Sequence, residues 1–138
     1  MSLVDNRHTA SCVLAIRKSR ILVVSRKDGS GFALPGGKNE PGESPKVTAC
    51  REFNEEVGAM VTPGRLVLLH CGASVSGRVV HVYYTHKITN EPHAAEYGTT
   101  IGWLDFDTLL NSSPFAEFYK IVFPDGVEHL RDTEILVL

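Results

Sequence analysis

Residues 27–43, KDGSGFALPGGKNEPGE, hold five glycines and two prolines, and the chain runs from them straight into Ser44-Pro45. Such a density of turn formers excludes a helix there and demands tight backbone geometry, so the stretch reads as a loop with a purpose. Ser44 is suited to capping the first free N–H groups of a helix, and proline is at home in the first helical position. Gly58 supplies the matching stop. The spacing therefore predicts a helix over residues 45–57 directly behind a shaped loop.

At about 100° per residue, with Glu52 at zero, Glu55 falls near −60° and Glu56 near +40°, so three carboxylates share one face. Val47, Cys50, Phe53 and Val57 fall opposite and read as the core stripe. The ordinary explanation of an acidic face is solvation. Against it, like charges three and four residues apart repel, and Glu55 and Glu56 stand near the helix C-terminus, where the dipole disfavours anions. Oxygen ligands on a rigid face suit a hard divalent ion, Mg²⁺ or Mn²⁺, completed by substrate phosphates. Glu43, just before the helix, can join the cluster, and Arg51, four residues before Glu55, can orient the acids.

Around the helix the pattern alternates between strands and short helices. His8–Ile16 and Ile21–Ser25 read as a hairpin; residues 65–70, 79–88 and 101–104 read as strands. Residues 105–110 and 114–121 read as short helices, and the tail, with its Pro124-Asp125-Gly126 turn, reads as a hairpin or as a helix plus strand. Residues 1–7 show no periodicity and are taken as a leader. The expectation is one mixed α/β domain over residues 1–138, with strands on both sides of one central helix.

The 14 Lys and Arg are offset by 16 Asp and Glu and lie singly or in pairs, which disfavours bulk nucleic-acid binding. No apolar run approaches the roughly 18 residues needed to cross a bilayer, so no membrane role is expected. Three cysteines without a CxxC pair support neither a disulfide framework nor a zinc ribbon and fit a cytoplasmic setting. His81 and His86 lack a third ligand at suitable spacing. The apolar end Ile135-Leu136-Val137-Leu138 fits either a core strand or contact with a second copy, hence a possible homodimer.

The stretch GKNEPGESPKVTACREFNEEVGA, Gly37 to Ala59, resembles the Nudix box, Gly-x5-Glu-x7-Arg-Glu-U-x-Glu-Glu-x-Gly-U with U a bulky aliphatic residue. Gly37, Glu43, Arg51, Glu52, Glu55, Glu56 and Gly58 all stand at the required spacing; Phe53 and Ala59 replace the two aliphatic positions. Leu34-Pro35 entering the box and Trp103-Leu104 in a late strand agree with the resemblance. It implies an α/β/α sandwich with a mixed sheet, and hydrolysis of a nucleoside diphosphate linked to another moiety with Mg²⁺ or Mn²⁺. It further implies Glu55 and Glu56 as metal ligands, with the Gly37 carbonyl as a third. Glu52 is the general base or a further ligand, Glu43 a support for the metal shell, and Arg51 the residue holding the acids. Glu96, seven residues before Trp103, is the candidate for a later-loop glutamate that binds metal or acts as base.

A glutamate near its ordinary pKa of about 4.3 is a weak base at neutral pH, so the reaction is expected to need the metal and to favour alkaline conditions. Arg26, Phe32 and Tyr83 are the candidates for holding a phosphate or stacking on a base. Val75, Ser76 and Gly77 stand where ADP-ribose-type members carry proline and diadenosine-polyphosphate members carry tyrosine. By elimination and by size, a nucleoside triphosphate cleaved to the monophosphate and pyrophosphate is the first choice. An NDP-sugar, or a nucleotide-binding module without catalysis, is the alternative.

Overall fold

The computed structural model of the chain describes residues 9–138, so the leader assigned to residues 1–7 lies outside the described residues. The first strand, β1 (Thr9–Leu14), does not form the expected long hairpin. Ala15 breaks it from β2 (Ile16–Arg17), and only β2 turns back onto β3 (Arg20–Ser25). The two-residue connection places Lys18 and Ser19 at φ 52° and 63°. Two left-handed residues match the turn that best follows strand twist, one that asparagine and glycine occupy with least strain. Changing Lys18-Ser19 to Asn-Gly should therefore raise stability by about 1 kcal/mol, read as a higher urea midpoint with an unchanged slope.

β1 is instead the centre of a mixed sheet. It pairs antiparallel with β5 (Gly36–Lys38) and parallel with β7 (Val79–Thr85), which pairs antiparallel with β6 (Leu66–Ala73). The stretch 27–43 thus contains β5 and a shorter strand, β4 (Phe32–Ala33), a correction to its reading as loop throughout. The glycines permit this: a Cβ at Gly36 would lie 2.3 Å from the Ser11 carbonyl oxygen and 2.6 Å from Cys12 Cα. A second sheet joins β2, β4 and β9 (Ile101–Leu104) to β3, and a parallel pair joins β8 (Lys87–Thr89) to β10 (Glu134–Leu136). The expected strand 79–88 therefore breaks at His86, and the tail ends in one strand that pairs with β8 instead of closing a hairpin. Val137 and Leu138 lie exposed beyond it.

Helix α1 (Pro45–Val57) begins and ends as the sequence predicts. Val47 N–H donates to Ser44 Oγ at 3.3 Å, and Gly58 adopts φ 69° and donates its N–H to the Asn54 carbonyl. Helices α2 (Phe106–Ser112) and α3 (Ala116–Val122) follow β9, the first capped by Asp105, which accepts from Thr108 N–H at 2.8 Å.

Successive residues of β1 and β7 face opposite sides, as a strand's period of two requires. Val13, Ala15 and Tyr83 join Ala49, Phe53 and Val57 of α1 in one core. Leu14, Val82 and Tyr84 join Leu109, Phe118, Tyr119 and Phe123 in the other. The buried face of α1 is rotated from the expected stripe. Thr48, Ala49, Phe53 and Val57 are buried, whereas Val47 is 44% exposed and Cys50 half-buried. Small Thr48 and Ala49 let the helix sit close to β1 and β5, and the rotation carries Glu56 inward.

Candidate active site

Arg51 gathers the acids. Its Nε donates to Glu43 Oε2 at 2.7 Å and its Nη2 to Glu43 Oε1 at 2.9 Å, a two-pronged pairing that fixes both side chains. Its Nη1 donates to Glu52 Oε1 at 2.9 Å and to Glu55 Oε2 at 3.2 Å, and Nη2 reaches the Lys38 carbonyl at 3.2 Å. Glu43 also accepts from Glu40 N–H and the Thr48 hydroxyl. Arg51 foremost holds the Glu43 carboxyl down at about 2, so it is ionised at any working pH.

Glu56 behaves in the opposite way. It stands half-buried beside Cys12 and Gly36, whose N–H reaches Glu56 Oε2 at 3.4 Å. Burial first, then the hydrogen bond and charge of Glu52, push its carboxyl up to about 9. Burial beside a second carboxylate thus disfavours the charged form of Glu56. Burial, with the Glu56 charge second, likewise pushes the Cys12 thiol up to about 12.

Gly37 closes the other side. A Cβ there would lie 2.5 Å from Glu52 Cδ and 2.6 Å from its Oε1. Because the colliding group is the end of a flexible side chain, Gly37→Ala should leave the melting temperature nearly unchanged while displacing the carboxylate. A shift of that size at a reacting group costs about tenfold to a hundredfold in kcat, checked in steady-state assays alongside a melt.

Glu52, Glu56 and the Gly36-Gly37 backbone line one end of a cleft of about 570 Å³, within the range of small-molecule sites. Of the other sequence candidates, Glu96 lies in the same cleft, where Lys27 Nζ pairs with it at 2.9 Å. Arg26 also lines it, its guanidinium 4.8 Å over the Phe115 ring and bonded to Ser30 and Asp28. Glu55 does not line the cleft: its side chain is 50% exposed and turned to Arg51. As placed, no three acidic, histidine or cysteine side chains among the described residues form a ready ring for a metal ion.

Tyr83 and Phe32 are placed outside the cleft. Tyr83 is 4% exposed and faces the α1 core, because β7 sends Val82 and Tyr84 to the opposite side. Phe32 packs against the second core and does not line the cleft. The aromatic wall is built instead by Phe115, Phe118 and Tyr119, around the start of α3. Leu34 N–H donates to the Tyr119 hydroxyl at 3.0 Å, tying that wall to the strand before Gly36. Ser74, Ser76 and Arg78, from the β6–β7 hairpin, complete the far end. The Phe115/Tyr119 spacing of four was the available signal for the wall.

Comparison with known proteins bears on the family and the fold. A family model described as NUDIX domain matches residues 5–126. A CTP pyrophosphohydrolase of Escherichia coli is 38% identical over 74 residues, 51% of this chain and 54% of that protein, so the match spans about half of that relative's length. A MutT-like protein of Streptomyces ambofaciens is 28% identical over 84% of this chain and 73% of its own. The crystal structure of a MutT NUDIX hydrolase from Burkholderia pseudomallei superposes with a TM-score of 0.69 at 28% identity, covering 84% of this chain and 95% of that one. A structure from work on MutT of Aliivibrio salmonicida and Vibrio cholerae gives 0.70 at 25% identity, covering 84% and 94%.

Proposed function

Because the chain belongs to the NUDIX family, we propose that it is a divalent-metal-dependent pyrophosphohydrolase that cleaves a nucleoside triphosphate to the monophosphate and pyrophosphate. The observation that carries this reading is the Glu52–Glu56 pair, pressed against the Gly36-Gly37 backbone at the end of a nucleotide-sized cleft. Glu56, half-buried beside Glu52 and without an ion pair among the described residues, is suited to meet a cation there. Every donor there is oxygen, which fits a hard ion such as Mg²⁺ or Mn²⁺. Glu52, Glu56 and the Gly37 carbonyl would hold it, with Glu96 from the facing loop and Glu55 once it leaves Arg51. Bound there, the ion would neutralise phosphate oxygens and lower the pKa of a water.

The chain's own groups supply the rest. Arg51 holds Glu52 by Oε1, which leaves Oε2 to take a proton from the attacking water as its oxygen bonds to phosphorus and pyrophosphate departs. Glu43 keeps Arg51 in place and ionised. Phe115, Phe118 and Tyr119 exclude water from one side and offer apolar surface to the nucleoside. The name of the Escherichia coli relative supports a nucleoside triphosphate as substrate.

A panel of nucleoside triphosphates and NDP-sugars, assayed with Mg²⁺ and with EDTA, tests the reading. The expected result is metal-dependent release of pyrophosphate and no orthophosphate. Cleavage of NDP-sugars alone, or turnover that survives EDTA, would overturn it.

A further inference from the structure

Of the two guanidinium groups lining the cleft, Arg26 is spoken for by Asp28, Ser30 and Phe115. Arg78 has no hydrogen bond or ion pair from its side chain to any described residue, and its Nε is buried without a partner. A buried donor left unmade is costly, and native chains keep one chiefly where something else completes it. Of the acids lining the cleft, Asp28 is taken by Arg26, Glu96 by Lys27 and Glu52 by Arg51, and Glu56 sits at the other end against the Gly36 N–H. Arg78 is thus left free to meet the molecule that enters.

The sheet register locates that partner on the ligand. Gly37, Ser11 and His81 lie in one row across β5, β1 and β7, and Arg78 stands three residues before His81. Two strand spacings and three residues of rise separate the Gly37 and Arg78 backbones by about 14 Å. With phosphates at the Gly37 end, Arg78 stands at the nucleoside end. Its neighbours there suit a base: Val80 and Phe118 are apolar, and the Ser74 and Ser76 hydroxyls bond to each other at 2.9 Å.

We propose that Arg78 reads the base of the substrate and selects bases that present two adjacent acceptors. A guanidinium only donates, in a planar fork. Cytosine offers O2 and N3 to such a fork, and guanine offers O6 and N7. Adenine sets its N6 amino donor beside each of N1 and N7, and uracil interrupts its two carbonyls with N3–H. The inference rests on the nucleotide reading of the site, and deepens it by naming the class of base.

Equilibrium binding of CMP, GMP, AMP and UMP by calorimetry tests it without needing turnover, so it stays readable even if no triphosphate is hydrolysed. Wild type should bind CMP or GMP about ten- to a hundredfold more tightly than AMP and UMP, and the two tighter arms show which base is taken. Arg78→Ala and Arg78→Lys should both erase the preference; the lysine variant keeps the charge and loses the fork, and melts confirm folding. Equal affinity of wild type for all four, tighter binding of AMP or UMP, equal weakening of all four in both variants, or a preference retained by Arg78→Lys would overturn the proposal.

Discussion

Glu52→Gln is expected to lower kcat by about 10²- to 10⁴-fold while changing KM by less than about threefold, the signature of a lost proton acceptor. The variant keeps an acceptor oxygen for Arg51, so the guanidinium stays anchored through its two-pronged pairing with Glu43. What disappears is the ability to take a proton at Oε2. Glu56→Gln separates the second role: it removes the half-buried carboxylate beside the Gly36 backbone, and should weaken Mn²⁺ binding in titrations of the nucleotide-free protein. Near-wild-type turnover for the first variant, or unchanged Mn²⁺ affinity for the second, would contradict the assigned roles.

The acid cluster was legible because one helix carries it, and helix periodicity fixes relative positions without knowledge of the rest of the chain. The cap at Ser44 and the stop at Gly58 were legible for the same reason. How that helix rolls on the sheet was not. The small side chains of Thr48 and Ala49, rather than Val47, set the closest approach, and Glu56 is drawn inward while Glu55 stays outside. Tyr83 lies on the α1 side through a parity that sequence does not disclose: which side of β7 faces the cleft depends on its pairing with β1. The far wall was hidden further still, since Phe115, Phe118 and Arg78 meet only through packing of distant segments.

The loop-to-helix junction also contributes to the acid tolerance of the protein, through the Glu43–Arg51 pair. Glu43 and Arg51 side chains are 14% and 22% exposed, and removing the guanidinium strands carboxylates that depend on it. Arg51→Met should therefore cost about 2–4 kcal/mol at pH 7, read from urea unfolding, beyond the loss of a surface pair. The pH dependence has a definite sign. Glu43 titrates at about 2 in the folded chain against an ordinary 4.5. Its contribution is full above about 4.5 and drains away as pH falls toward 2, because the unfolded chain takes up the proton first. Wild-type stability should accordingly fall across that window, and in Arg51→Met the slope should flatten, since the main cause of the depressed pKa is gone. Parallel pH profiles for the two proteins would show that Glu43 owes its ionisation to other partners, Thr48 and the Glu40 N–H among them.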